Sequence, residues 1–444
     1  MGICDILLPE IMKDTPLYTS RLTAILTMVG VSVGLGNVWR FPYMMGSYGG
    51  SAFLAVYLAF TILFAFPALM AEMALGRLSG KGTIDAFRLT LGNNIGSWVG
   101  YFLLVVITIS GSYYAVVVAN VLFTTFYSIG IGFSPASIPA YQGLLTSPAL
   151  QYAVVLLLII SSLYTIHKGL VKGIERLSNI IMPFFALSLV YMIYHALSLP
   201  RAMEKCLEFL RPDIQAMGAP EIFAALGQAF FSVGLGGTFV VVYAGFLRPQ
   251  ESIPKMALYT GLGDLSASLL VSLFLIPSIL VFGFDMASGP SLIFNTFPQL
   301  FNTMPGGRWV GSLFLLSLTL VAFLSLIAAY QVPFVTLRNE QHKVGNLRLL
   351  VGIGIVQALL ALPSTIFPNL IGTLDLIFGS GMQVFGSALA IVGLTWGLKK
   401  ANVLPQLFHQ GTNHSIKEMA YTWIKWVIPI ALLGVLIGYV YDSI

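Results

Sequence analysis

The chain has 444 residues and a net charge of +5, with 57% apolar residues, only 9% charged ones and a mean hydropathy of +0.89. Soluble domains carry about 25% charged residues. The composition therefore excludes a soluble enzyme, a nucleic-acid binder and a disordered chain, and requires a polytopic membrane protein.

A spanning helix needs about 20 mostly apolar residues. The sequence predicts eleven, near 21–46, 51–77, 96–128, 149–166, 175–198, 220–247, 255–283, 309–337, 346–362, 368–397 and 421–440. With the N-terminus cytoplasmic, Arg201, Lys205, Arg211 and Arg308 fall outside and Arg40 falls within the first span. The other 17 of the 22 lysines and arginines lie inside. This split follows the positive-inside rule and places the C-terminus outside. The opening MGICDILLPEIMKDTP lacks a basic n-region and a cleavage site, so no signal peptide is expected. Cys4 and Cys206 are too few and too far apart for a disulfide framework or a metal site.

Two spans depart from ordinary helix composition. The first contains GVSVGLGN, Gly30 to Asn37, and the sixth contains FFSVGLGGT, Phe230 to Thr238. Either glycine cluster alone reads as close helix packing. Placed at corresponding points of two five-helix halves, about 21–198 and about 220–397, they read as unwound helices of an inverted-repeat transport site. The segment near 421–440 is an extra helix. Unwound backbone is tolerated at that depth only where protein or a cavity covers it.

Charges within the spans are costly and are functional candidates by default. They are Arg40, Glu72, Asp264 and Asp375. Arg40 and Asp375 fall in the outer halves of their spans and suit a pair across a vestibule. Glu72 reads as polar glue near the first break. Asp264, between glycines and serines, would meet a cation at the adjacent breaks. Asn37, Ser232 and Ser325 add oxygen ligands of the kind hard cations prefer.

The stretch SRLTAILTMVGVSVGLGNVWRFPYMMGSYGGSAFLAVY resembles the first-helix signature of the neurotransmitter:sodium symporters. EMALGR, SGSYYAVV, GQAFFSVGLG and Asp375 follow in that family's order. The resemblance covers nearly the whole chain and is closer to short bacterial members. It implies an all-α LeuT fold with two inverted five-helix repeats, unwound first and sixth helices and sodium-driven uptake.

Residue by residue, the resemblance implies a first sodium site from the Ser32 carbonyl, Asn37, Ser232 and Asp264, where the family more often has asparagine at Asp264. A second site would use the carbonyls of Gly30, Val33 and Val321 and the Ser325 hydroxyl. A further side-chain oxygen is usual one residue earlier, where this chain has Leu324. The implied substrate region is Val31, Ser32, Gly34, Leu35, Gly36, Ser110, Tyr114, Phe231, Ser232, Gly234, Gly237, Ser325 and Ala329. Tyr114 would bond the carboxylate and Phe231 would form a lid, while Arg40 and Asp375 match the outer gate. The inner gate departs from the family. Thr15 and Tyr18 replace an arginine and a tryptophan, Asn339 replaces an aspartate, and a Ser-Tyr pair reads Gly245-Phe246. Lys13, Asp14, Glu340 and Tyr18 are the groups available there.

The reading that follows is a symporter importing amino acids with one or two sodium ions. Gly34, where amine-selective relatives carry an acid, leaves room for a carboxylate. Small Gly234, Gly237 and Ala329 suit a bulky apolar or aromatic side chain. Tyr57, Gln228 and Ser268 match the family's chloride neighbourhood, but the fixed charge of Asp264 makes chloride unnecessary. The expected partners are the amino acid and the lipid bilayer of a cell's inner (plasma) membrane, with no nucleic acid. Sequence alone does not choose between monomer and homodimer. His167, His195, His342, His409 and His414 form no catalytic constellation, so no enzyme activity is expected. The altered inner gate and Leu324 leave a non-transporting receptor or channel-like member as the alternative.

Overall fold

Long apolar runs in a bilayer must satisfy every backbone N–H and C=O internally, which an α-helix does. The computed structural model describes residues 16–80, 82–286, 292–341, 343–408 and 412–442, with side chains through 438 in the last stretch. Among the described residues every regular element is helical. Among the described residues nine helices are long and apolar enough to cross a membrane: Ser51–Ser79, Asn93–Gly130, Pro148–His167, Leu170–Leu197, Ile253–Phe282, Gly307–Glu340, Asn346–Ile366, Asn369–Gly397 and His414–Gly438. The bent pair Arg21–Ser32 and Gly36–Ser47 is a tenth span. The predicted sixth span is two shorter pieces, Ala219–Ser232 and Phe239–Ala244, separated by residues 233–238.

The predicted segments recur with shifted ends, largest in the eleventh, which starts at His414 rather than near 421. Short helices Thr83–Leu91, Ile138–Leu145, Ala202–Phe209, Phe297–Thr303 and Lys400–Leu407 cap the ends of the bundle. They are too short and too polar to stand out against the spans.

Burial sorts the spans into two kinds. The third and eighth are mostly buried, whereas the fourth, ninth and eleventh bury only a minority of their residues. Leu157, Ile160, Leu187, Val190 and Ile430 face outward in numbers that only lipid would accept. Exposed Trp98 and Trp309 stand at the starts of the third and eighth spans, as interfacial tryptophans do. The broken first and sixth spans are thereby held inside a scaffold of whole helices.

Candidate functional site

The first span stops at Ser32, where Val33 is extended (φ −68°, ψ 123°), and restarts at Gly36 after a 64° bend. In the sixth break Gly234 and Gly237 take φ +70° and +68°, the left-handed region that glycine enters without strain. Both breaks leave buried backbone groups without helical partners, and side chains supply them. Asn37 Oδ1 accepts from Gly34 N–H at 2.8 Å. Ser325 Oγ donates toward the carbonyls of Val31 and Val33 at 3.2 and 3.0 Å. Glu72 Oε1 accepts from Gly236 N–H at 3.0 Å. Glu72 therefore braces the sixth break and not the first, where the sequence had placed it.

Between the breaks lies a buried polar knot. Asn37 Nδ2 donates to Asp264 Oδ1 at 2.7 Å, to Ser268 Oγ at 2.8 Å and to Ser232 Oγ at 3.1 Å. Ser232 Oγ donates to Asp264 Oδ2 at 2.5 Å. Ser32 Oγ turns back to the Met28 carbonyl at 3.0 Å, with Val233 O at 3.4 Å. Asp264 is 1% exposed. No basic side chain forms an ion pair with it among the described residues. A buried carboxylate left with neutral hydrogen bonds alone is costly. The Asp264 carboxylate and the Ser232 hydroxyl are oxygens of the kind a hard monovalent cation takes, while Asn37 turns its Nδ2 to them and its Oδ1 to Gly34.

A cavity of about 120 Å³ adjoins this knot. Its wall brings together Val31, Ser32, Gly34, Leu35 and Gly36 from the first span, Ser110 and Tyr114 from the third, Phe231, Ser232 and Gly234 from the sixth, and Ser325 and Ala329 from the eighth. Tyr114 Oη and Ser325 Oγ stand 3.3 and 3.4 Å from the place where a Cβ on Gly34 would sit, which makes this the polar end. Phe231 covers Gly36 so closely that a Cβ there would meet its ring at 2.6 Å.

Gly237 is not brought to the cavity. A Cβ on it would meet the Gly386 carbonyl of the tenth span at 2.7 Å, so its missing side chain admits a neighbouring backbone and does not enlarge the pocket. Sequence reasoning missed Gly111, Tyr113, Phe239, Gly379 and Gln383, which also line it. Gln383 carried a readable signal, being a lone carboxamide two turns beyond Asp375 in an apolar span.

Asp375 lines the cavity, and Arg40 rests on its Phe231 wall. The Arg40 guanidinium lies 4.6 Å from the Phe231 ring centroid, a cation–π arrangement, and its Nη1 reaches Ser380 Oγ at 3.4 Å. Asp375 Oδ1 accepts from Tyr113 Oη at 3.1 Å. A π-helical stretch, Asp375–Met382, carries both Asp375 and Ser380. The extra residue per turn turns the two toward the first span.

Ser325 meets the Val33 carbonyl where the first and eighth spans pack, one turn after buried Val321. Leu324, 3% exposed, fills the space beside Gly30.

Below the site the bundle is shut by the chain leading into the first span. Tyr18 N–H donates to Phe246 O at 3.0 Å, and Arg248 Nε donates to Tyr18 O at 2.8 Å. Arg21 pairs with Glu251 at 2.7 Å, and Thr19 donates to Glu175 through both N–H and Oγ1. Of the groups expected here, Tyr18 takes part, whereas Glu340 pairs with Arg88. Lys13, Asp14 and Thr15 lie outside the described residues.

The profile of the sodium:neurotransmitter symporter family matches residues 15–135 and 133–438. The chain is 26% identical over 442 residues to the uncharacterized sodium-dependent transporter YhdH of Bacillus subtilis (strain 168), covering 95% of this chain and 97% of that one. It is 26% identical over 275 residues to the human sodium-dependent neutral amino acid transporter SLC6A17, covering 54% and 37% of the two. The fold matches the crystal structure of MhsT in complex with L-phenylalanine with a TM-score of 0.85 and 26% identity, over 96% and 99% of the chains. With its first and sixth spans broken around a common cavity, the chain belongs to the sodium:neurotransmitter symporter family, as a multi-pass, LeuT-fold transporter that uses sodium.

Proposed function

We propose that this protein is a sodium-coupled symporter that imports amino acids, with large apolar or aromatic side chains preferred. The observation that carries the reading is Asp264, a buried carboxylate without a basic partner, tied to Asn37 and Ser232 at the edge of the cavity. The amino acid carboxylate takes the polar end, between Gly34, Tyr114 and the cation held by Asn37, Ser232 and Asp264. The ammonium meets backbone carbonyls of the breaks. The side chain lies among Phe231, Phe239, Gly111 and Ala329. The names printed for MhsT and for SLC6A17 support an amino acid rather than an amine.

Each ligand completes the site for the other, which couples their affinities. With both bound, Asn37 and Ser232 draw the two breaks together, and Phe231 with Arg40 closes toward Asp375. Opening of the other end then requires release of Tyr18 from Phe246 and of Arg21 from Glu251. The lysine and arginine distribution supports a cytoplasmic N-terminus, so that the latch at Tyr18 is the inner one. Residues 21–198 and 220–397 act as two inverted repeats around the site, with 421–440 outside them.

The test is uptake into proteoliposomes of labelled L-amino acids, with an inward sodium gradient and with potassium in its place. Accumulation that requires sodium supports the proposal. Binding without accumulation favours the receptor alternative.

A further inference from the structure

We infer that this transporter moves a single sodium ion per amino acid, because Leu324 is a fixed apolar brace at the position where a second cation would sit. The inference rests on the proposed function and deepens it. Of the four groups that the family resemblance assigns to a second ion, Gly30, Val33, Val321 and Ser325, the Ser325 hydroxyl meets the Val33 carbonyl, and Gly30 faces the eighth span at Leu324. What stands beside Gly30 is apolar. Leu324 Cδ1 lies 2.9 Å from the place of a Cβ on Gly30, and Met182 Sδ of the fifth span lies 3.2 Å from it. A hard cation gives up its water only for a nearly complete shell of oxygen ligands. An isobutyl group offers no oxygen, and a close-packed interior gives it nowhere to move.

The second observation is the direction of the Ser325 hydroxyl. Its proton already serves the carbonyls of Val31 and Val33, at 3.2 and 3.0 Å. One hydroxyl proton shared between two carbonyls ties the eighth span to the first break. The brace between the first and eighth spans is therefore complete without an ion: a hydroxyl on two carbonyls and a leucine on a glycine. The contrast with Asp264 is direct. That oxygen set carries a buried negative charge with no basic partner, whereas this one is neutral and filled.

One consequence is that each neutral amino acid carries one positive charge across. The limiting accumulation ratio then follows the first power of the sodium gradient. The experiment is equilibrium binding of radioactive sodium to the purified full chain with the twenty protein amino acids present together. One ion per wild-type chain, with a Hill coefficient near one, is expected. Two ions would overturn the inference. No bound ion would overturn the sodium reading itself, so the two failures are distinguishable. Leu324→Ser, which restores an oxygen, is expected to bind two ions, and a folded Leu324→Ser that still binds one counts against the leucine. Leu324→Met keeps an apolar side chain and is expected to stay at one. Should the serine variant not fold, the counts for wild type and Leu324→Met still decide.

Discussion

Asn37 and Asp264, 227 residues apart in the chain, meet through a 2.7 Å hydrogen bond from Nδ2 to Oδ1. The pair joins the restart of the broken first span to the seventh, and Ser232 brings in the last turn before the sixth break. A change at either residue is thus felt by both breaks. The same link places a carboxylate beside the cavity with only neutral partners.

Removing that charge is the first prediction. Asp264→Asn keeps the volume and the hydrogen-bonding reach but not the attraction for a cation. Two unit charges about 4 Å apart interact by roughly 4 kcal/mol at an effective dielectric near 20. Losing even a third of that raises the sodium concentration for half-maximal uptake about tenfold. A sodium titration of uptake in wild type and variant is the check, and overlapping curves would remove Asp264 from the ion site.

Chloride follows from the same charge. Ser268 lies one turn after Asp264, and both amide atoms of the fully buried Gln228 lack hydrogen-bond partners among the described residues. That neighbourhood would suit an anion were the carboxylate absent. Beside Asp264, a halide meets a repulsion of the size just given. Replacing chloride by gluconate should leave wild-type uptake unchanged and lower it in Asp264→Asn. Strong chloride stimulation of the wild type would sink this.

At the outer end, Asp375→Asn should reduce uptake by about tenfold or more while leaving the folded yield intact. Its carboxylate takes the Tyr113 hydroxyl and faces the guanidinium that rests on Phe231. Tyr113→Phe removes a single hydrogen bond, about 0.5–1.5 kcal/mol, and should cost no more than about tenfold. Uptake rate normalised to folded protein, read from size-exclusion peaks, compares them. Equal activity of Asp375→Asn and wild type would leave the gate without support.

Side-chain selectivity divides Ala329 from Gly237. Ala329 lines the cavity, so Ala329→Ile should shift preference toward smaller amino acids, by roughly 0.8 kcal/mol for each methylene that no longer fits. Gly237 faces the Gly386 carbonyl, so Gly237→Phe should lower folded yield and leave the rank order of substrates in any surviving protein unchanged. Competition by leucine, phenylalanine, alanine and glycine measures both. An unaltered ranking in Ala329→Ile would count against the placement.

The carboxylate end makes a further prediction. The helix Gly36–Ser47 begins at the cavity, and its N-terminal end favours a negative group. L-Phenylalanine and phenethylamine differ only in that group. Phenylalanine should displace a bound labelled amino acid far better, and the reverse order would mean an amine site.

Much of this was legible because the membrane makes sequence literal. Apolar runs gave the spans, and the paired glycine clusters gave the breaks, since few other residues reach φ +70° at Gly234. Costly intramembrane charges pointed to Arg40, Asp264 and Asp375. What was not legible depended on how helices approach one another. Gly237 looks like a widened pocket until the tenth span is seen lying against it. Glu72, in the second span with its partner Gly236 in the sixth, gives no local sign of which break it serves. Tyr113 and Gln383 reach the cavity through the third span's rotation and the π-helical turn after Asp375, which no apolar period announces.

The most direct test of a shared sodium and amino acid site is reciprocity. Affinity for the preferred amino acid should be measured as a function of sodium, and affinity for sodium as a function of that amino acid, on the same purified protein. The account predicts that each ligand tightens the other by the same factor, and that Asp264→Asn shrinks both factors together. An amino acid affinity that does not change between zero and saturating sodium would contradict it.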